Sequence, residues 1–172
     1  MYMKVYFDES YPSDPNIMIL GALFLPNKTA SLLHNKILAI KTKYAITGEL
    51  KYSNIQSKKQ LEAGKEILDE FFNLTDGYFR ACILPYDEKR LAVLDKDPLD
   101  KKRIGIYADS ATKLITNNVT LDSSIDVFMD EESRLERVKF YDKLLKVKLR
   151  DGTKINSVTA VKSHHDGNCL IV

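Results

Sequence analysis

Two acidic residues lie where two predicted strands end. Asp8 closes the segment Tyr2–Asp8, and Asp130 closes the segment Ile125–Asp130. Apolar residues recur at every second position in both segments, which indicates strands with one face in a core. In open α/β sheets the functional groove lies beyond the carboxyl ends of the strands, so the two acids can converge if these strands are parallel neighbours. Carboxylates at such a place predict a site for a divalent metal ion.

The same two residues have a simpler interpretation. Asp is common after a strand because its side chain caps turns and helix starts. For either acid alone this structural role is the better explanation. The pair, taken with the family resemblance described below, favours the metal site. Their neighbours Glu9 and Glu131 point to the other face by strand alternation, so we interpret them as solvated acids.

Composition predicts one soluble domain. The chain has 172 residues, of which 44% are hydrophobic, enough for one core but not for two. The formal charge is only +2, so the net charge does not by itself indicate nucleic-acid binding. Cys82 and Cys169 lack metal-binding spacing, and no signal peptide or membrane-spanning run is evident. These features predict a cytoplasmic protein with reduced thiols and no membrane association.

Strand and helix patterns alternate along the chain. Helical spacing joins Leu33 to Tyr44, and Ser57 with Gln60 forms a capping-box pattern at the start of a second helix. Further helices are predicted around 104–115 and from Ser133 to about Leu149. Strands are predicted over 2–8, 17–25, 77–85, 124–130 and 154–162. The first two form a hairpin around the turn-rich loop 11–16, and a turn at Asp151-Gly152 leads into the last. This order predicts an α/β fold in which a mixed sheet of about five strands is flanked by helices.

Five short motifs, in their order and spacing, resemble domain-of-unknown-function family 3800 across nearly the whole chain. They are Phe7-Asp8-Glu9-Ser10, Gly21-Ala22-Leu23, Glu49-Leu50-Lys51, Met129-Asp130 and Lys162-Ser163. The resemblance implies a ribonuclease-H-like fold in a bacterial or phage protein. It also implies an acidic site built from Asp8, Glu49 and Asp130, and the nuclease activity that is inferred for the family.

One departure from the family pattern concerns the end of the chain. The resemblance implies a final helix with a Gln-x-Ala-Asp pattern, whose Asp would be a fourth acid, whereas this sequence stops at Cys169-Leu170-Ile171-Val172. Such an uncapped apolar end is either buried, for example against a second copy, or cut at the start of that helix. We expect a single ribonuclease-H-like domain over 1–172 that is truncated at its C-terminus.

Phosphodiester hydrolysis explains why acids are needed at this site. The reaction adds negative charge to an anionic phosphate, and Mg²⁺ or Mn²⁺ readies the attacking water and stabilises the leaving oxygen. Two such ions lie about 4 Å apart and need a bridging carboxylate. We assign the bridge to Asp8, one ion to Asp130 and the other to Glu49.

The remaining candidates have simpler explanations as well. Glu49 and Lys51 lie between two predicted helices, where an exposed ion pair, a helix-start acid and a solvated lysine are all ordinary. Lys51 could contact a substrate phosphate. One of His164 and His165 could shuttle a proton, although a polar turn without function explains them equally simply.

The favoured function is a divalent-metal-dependent nuclease that uses Mg²⁺ or Mn²⁺ and acts on RNA or DNA. The alternative is a non-catalytic module with the same fold that binds a protein or a nucleic acid. Motifs for P-loop, Rossmann, HExxH and GxSxG chemistry are absent from the sequence, which excludes only the motif-bearing forms of those enzymes.

Overall fold

A mixed five-stranded sheet forms the centre of the protein. The computed structural model describes residues 1–10, 17–48, 50, 55–85, 99–119, 122–130, 144 and 152–161. The strands are β1 (Tyr2–Ser10), β2 (Ile17–Pro26), β3 (Tyr78–Pro85), β4 (Ser124–Asp130) and β5 (Lys154–Val161), and the helices are α1 (Asn27–Lys43), α2 (Lys58–Phe72) and α3 (Leu99–Asn118).

The strands lie in the order β3-β2-β1-β4-β5. Strand β2 is antiparallel to both β1 and β3, whereas β4 is parallel to β1 and β5 is parallel to β4. The predicted hairpin and the predicted mixed sheet with flanking helices are confirmed. This order and these directions are compatible with the ribonuclease-H-like topology that the resemblance implies.

Each face of the sheet packs on its own helices, because side chains alternate along every strand. On one face Val5, Phe24 and Val127 are fully buried in a cluster that includes Ala111 and Ile115 of α3. On the other face Tyr6, Leu23 and Leu25 join residues of α1 and α2. We call these the α3 face and the α1 face. The result is a three-layer arrangement with the sheet in the middle.

Helix α2 begins where the sequence predicts it. The Ser57 side chain accepts a hydrogen bond from the Gln60 backbone N–H, and the Gln60 side chain accepts one from the Ser57 backbone, a complete capping box. Two ion pairs then join α2 to α1, Lys36 with Glu70 at 2.5 Å and Lys43 with Glu66 at 2.8 Å. Packing and charge together hold α2 against α1.

A tight turn leads the chain into β5. Gly152 has φ +76, and a β-carbon at this position would collide with the carboxylate of Asp122. A residue without a side chain is therefore required where the turn meets the start of β4. The predicted turn at Asp151-Gly152 is confirmed at Gly152, and Asp151 lies outside the described residues.

Several predicted segments also lie outside the described residues. They are the loop 11–16, Lys162, and the helix from Ser133 to Leu149 except for Leu144, which is buried against the α3 face. Among the helices that the structure describes, none is both long and apolar enough to cross a membrane.

Replacing the capping serine should destabilise the protein. Ser57→Ala removes an acceptor for an otherwise unsatisfied backbone N–H, and we expect it to lower the free energy of unfolding by about 1 kcal/mol in urea denaturation. Ser31→Ala is the matched control, because Ser31 bonds the Asn27 carbonyl at 3.1 Å within α1 and caps nothing. Equal losses in both variants would contradict the capping role.

The contact between α1 and α2 should respond to acid. The hydrogen bond from Lys43 holds the pKa of Glu66 below its ordinary value of 4.5. Stability from a depressed carboxyl pKa is present above the unfolded pKa and is lost as pH falls through the folded one. We therefore expect Glu66→Gln to unfold more easily than the native protein at pH 7. The difference in stability between the two proteins should vanish as the pH falls through the lowered pKa of Glu66.

The control for this experiment is Glu62→Gln on the same helix. The charged atoms of Glu62 and Lys58 are 3.7 Å apart, farther than those of Glu66 and Lys43, and the Lys58 side chain is 88% exposed. This substitution should therefore change the stability less. Thermal unfolding across pH measures both variants. A Glu66→Gln deficit that stays constant to low pH would show that the charge pair is not its cause.

Candidate metal centre

The register of the two central parallel strands brings the predicted acids together. Strand β1 pairs with β4 from Tyr2 and Ser124 through Phe7 and Met129. Asp8 and Asp130 are the next residues on each strand, and Asp130 is the last residue of β4. Neighbouring strands are about 4.8 Å apart. Positions 8 and 130 are therefore neighbours near the carboxyl ends of two parallel strands. The predicted strand end at Asp130 is confirmed, whereas β1 continues past Asp8 to Ser10 because it stays paired with β2 there.

These two positions belong to one row that crosses the sheet. Asp8 lies opposite Gly21 of β2, Gly21 lies opposite Ala81 of β3, and Asp130 lies opposite Val161 of β5. The row is on the α1 face, since Asp8 lies two residues after Tyr6. Asp8 itself is half-buried, Gly21 is buried and Ala81 is exposed. On the β2 and β3 side of Asp8 the side chains of the row are thus very small.

An aromatic pair lies directly behind the acids. Tyr6 and Phe128 face each other across β1 and β4, two residues before Asp8 and Asp130, with ring centroids 4.9 Å apart and an interplanar angle of 18°. Tyr6 is only 1% exposed. The two stacked rings lie beneath the row. Because Tyr6 is buried, it is a core residue and cannot stack on a nucleotide.

A polar network occupies the opposite end of the same face. The Asp126 carboxylate accepts hydrogen bonds from the hydroxyls of Tyr2 and, at 2.8 Å, Ser157. The Tyr2 hydrogen bond to Asp126 raises the pKa of that phenol above its ordinary value. Because Asp126 lies four residues before Asp130, about 13 Å along the strand, it belongs to a separate structural cluster.

The other predicted site residues lie outside the described residues. They are Glu49 and Lys51, in the connection between α1 and α2, and His164 and His165, which follow β5 in the sequence. In the part of the chain that the structure describes, no three His, Cys, Asp or Glu side chains form a group that could hold a metal. The structure thus brings Asp8 and Asp130 together and leaves the third acid as a prediction.

The donors that are present suit a hard divalent cation. Two carboxylates at neighbouring positions repel each other when both are ionised, and a bound cation removes this repulsion. One or two carboxylates together with retained waters satisfy Mg²⁺ or Mn²⁺. If such an ion binds at this end of the row, Asp8 and Asp130 would be the residues that hold it.

The aromatic pair is the main feature that the sequence interpretation missed. Strand alternation places Tyr6 on the same face as Asp8, and Phe128 on the same face as Asp130. The sequence therefore indicated that each acid has an aromatic neighbour on its own strand. The contact itself depends on the register of β1 against β4, which no local pattern specifies. Comparisons with known proteins found no protein-family model and no curated protein that matches this chain.

The metal centre predicts saturable binding that depends on both acids. Asp8→Asn and Asp130→Asn each replace a charged ligand with a neutral one, so we expect Mn²⁺ affinity to fall at least about a hundredfold, because even supporting residues around metal ligands cost 10–100-fold. Isothermal calorimetry of the native protein and both variants measures this directly.

Asp126→Asn is the matched control for the titration. It removes a carboxylate from the same face and from the same strand as Asp130, yet Asp126 bonds to Tyr2 and Ser157 away from the row. Mn²⁺ binding should survive this change. A binding loss in Asp126→Asn equal to that in Asp8→Asn would argue against a specific site, as would a folded native chain that binds no Mn²⁺.

Proposed function

We propose that this protein is a divalent-metal-dependent nuclease that hydrolyses phosphodiester bonds in RNA or DNA. The observation that carries the proposal is the adjacency of positions 8 and 130 near the carboxyl ends of two parallel strands in the middle of the sheet. Open α/β sheets bind their ligands at this place. Membership of domain-of-unknown-function family 3800, a ribonuclease-H-like topology and a cytoplasmic location form part of the same proposal.

Three carboxylates are the proposed metal ligands. Asp8 and Asp130 bind the metal from adjacent strands, and Glu49, in the connection between α1 and α2, completes the ligand set. When bound, Mg²⁺ or Mn²⁺ readies the attacking water and stabilises the leaving oxygen. Asp8 has the central position, because β1 lies between β2 and β4, and it is therefore the carboxylate best placed to bridge two ions.

The shape of the row supports access by a substrate. Gly21 and Ala81 contribute no side-chain atom beyond a β-carbon on one side of Asp8. A phosphate group that approaches Asp8 over β2 and β3 therefore meets little obstruction from the side chains of this row. Lys51 is proposed to contact that phosphate, and His164 or His165 to move a proton to the leaving oxygen.

The partner in this proposal is a nucleic acid. With a net charge of +2 the protein cannot rely on a general electrostatic attraction to phosphates. Binding instead depends on the metal and on a few local contacts, so we expect weak affinity for nucleic acid in the absence of metal. A second copy of the chain is a further proposed partner.

A cleavage assay tests the nuclease proposal. Labelled single-stranded and double-stranded RNA and DNA are incubated with the purified protein and Mn²⁺ or Mg²⁺, with and without a chelator. We expect cleavage of at least one substrate that requires the metal. Asp8→Asn and Asp130→Asn should lower the rate at least about a hundredfold through lost metal binding, while Asp126→Asn should remain active.

The pattern across variants decides the outcome. Cleavage that persists in Asp8→Asn and Asp130→Asn comes from a contaminant or from another site, and either result contradicts the proposal. A protein that binds Mn²⁺ through both acids yet cleaves none of the four substrates would support the non-catalytic module instead.

A further inference from the structure

Helix α2 has an apolar stripe on its exposed side. Leu61, Leu68 and Phe72 are 43%, 47% and 74% exposed, and their spacing places them within about 40° of each other around the helix. The stripe leads into a groove of about 460 Å³ at the carboxyl end of α2. The groove is lined by Leu68, Phe71, Phe72, Leu74, Gly77 and Phe79. Leu68 and Phe72 belong to both the stripe and the groove, and exposed apolar side chains beside a groove favour an interaction site.

The floor of the groove depends on Gly77. A β-carbon at this position would lie 2.6 Å from Leu25 Cδ2 and 3.0 Å from Leu74 Cδ1. Because Gly77 lacks one, the chain entering β3 packs closely on Leu25. The groove is thus a built feature of the fold, continuous with the stripe.

A row of alternating charges runs beside the stripe. Lys58, Glu62, Lys65 and Asp69 are all exposed and follow one another at intervals of four, three and four residues, which keeps them on one side of α2. From the amino end their charges are positive, negative, positive and negative. Read in the opposite direction the row has opposite signs at every position. The row is therefore complementary to itself in an antiparallel pairing, whereas a parallel pairing in register would oppose like charges.

The charge distribution along α2 also favours an antiparallel neighbour. The first turn contains no acidic residue and the last turn no basic residue. Lys58 and Lys59 at the amino end and Asp69 and Glu70 near the carboxyl end are opposed to the helix dipole. An antiparallel copy of α2 brings its acidic end to the basic end of the first helix and offsets this cost.

We propose that α2 is a homodimer interface, in which two copies pair antiparallel about a two-fold axis. Leu61, Leu68 and Phe72 form the apolar seam, and Lys58 of each copy faces the partner's Asp69 while Glu62 faces the partner's Lys65. In this arrangement the amino end of one α2 lies over the groove at the carboxyl end of the other. Closed two-fold dimers with self-complementary patches are the commonest oligomers. This interface is independent of the nuclease proposal.

Sedimentation analysis over a range of concentrations tests the seam. One helix and a groove form a small interface, so we expect a concentration-dependent monomer–dimer equilibrium. Leu68→Glu places charges in the seam and should abolish the dimer. Leu32→Glu is the matched control, because Leu32 is 54% exposed on α1 and does not line the groove. This control should still dimerise.

Charge exchange tests the orientation. Lys58→Glu and Asp69→Lys should each weaken the dimer about tenfold, since each opposes like charges in both symmetry-related pairs. The double variant should recover native affinity. Both single changes place favourable charges at the helix ends, but Lys58→Glu also replaces the weak contact of Lys58 with Glu62 by two like charges. Urea denaturation of each single variant therefore checks that a weaker dimer does not come from damage to the fold.

Three results would overturn the proposal. They are a native protein that stays monomeric at its highest attainable concentration, a dimer that Leu68→Glu leaves intact, and a dimer that Leu32→Glu weakens as much as Leu68→Glu does. Failure of the double variant to recover affinity would rule out the antiparallel pairing. Capture of a helix from another protein by a monomeric chain would count against the homodimer as well.

Discussion

The parallel pairing of β1 with β4 is the contact on which the structure depends. It joins strands that are more than a hundred residues apart and places both in the middle of the sheet. Met3, Val5 and Phe7 thereby meet Ile125, Val127 and Met129 on the α3 face, while Tyr6 stacks on Phe128 on the other. The same register brings positions 8 and 130 side by side, so core packing and the candidate metal site have one structural cause.

Strand alternation lets a few residues of β1 contribute both to the two cores and to the candidate metal site. Phe7 is buried against α3, Tyr6 is buried against α1, and Asp8 is half-buried two residues before the end of the strand. A register shift of one residue would send the apolar side chains to the opposite face, so the two cores strongly specify the alignment. The position of Asp8 beside Asp130 is therefore held by the packing of some of the most buried residues in the protein.

Much of this arrangement was predictable because it is local. The alternation in β1 and β4, the capping box at Ser57 and the glycine turn at Gly152 each depend on a few adjacent residues, and the structure confirms them. The ion pairs from Lys36 and Lys43 to α2 depend on how two helices pack, which no short pattern states. Strand β5 also has an irregularity beside Asp126 that aligns Ser157 with it, and alternation alone would not have placed this residue.

The candidate site divides in the same way. Asp8 and Asp130 were identifiable because each follows a run of regular alternation, whereas their adjacency required the sheet order. The two further residues of β1 after Asp8 depend on its pairing with β2, which the run itself does not state. Glu49, Lys51, His164 and His165 lie outside the described residues, so their roles remain predictions. The apolar stripe on α2 was visible in the sequence as helical periodicity, but only the structure shows that α1 covers a different side of the helix.

The central claim is that Asp8 and Asp130 bind one metal ion together. The most direct test is a crystal structure of the native protein with Mn²⁺, in which anomalous scattering locates the ion without assumptions about substrate or activity. The account predicts a strong anomalous peak within about 2.0–2.6 Å of a carboxylate oxygen from each of the two residues, the range for hard cations bound by oxygen. A peak bound elsewhere, or no peak at a saturating concentration of Mn²⁺, would contradict it.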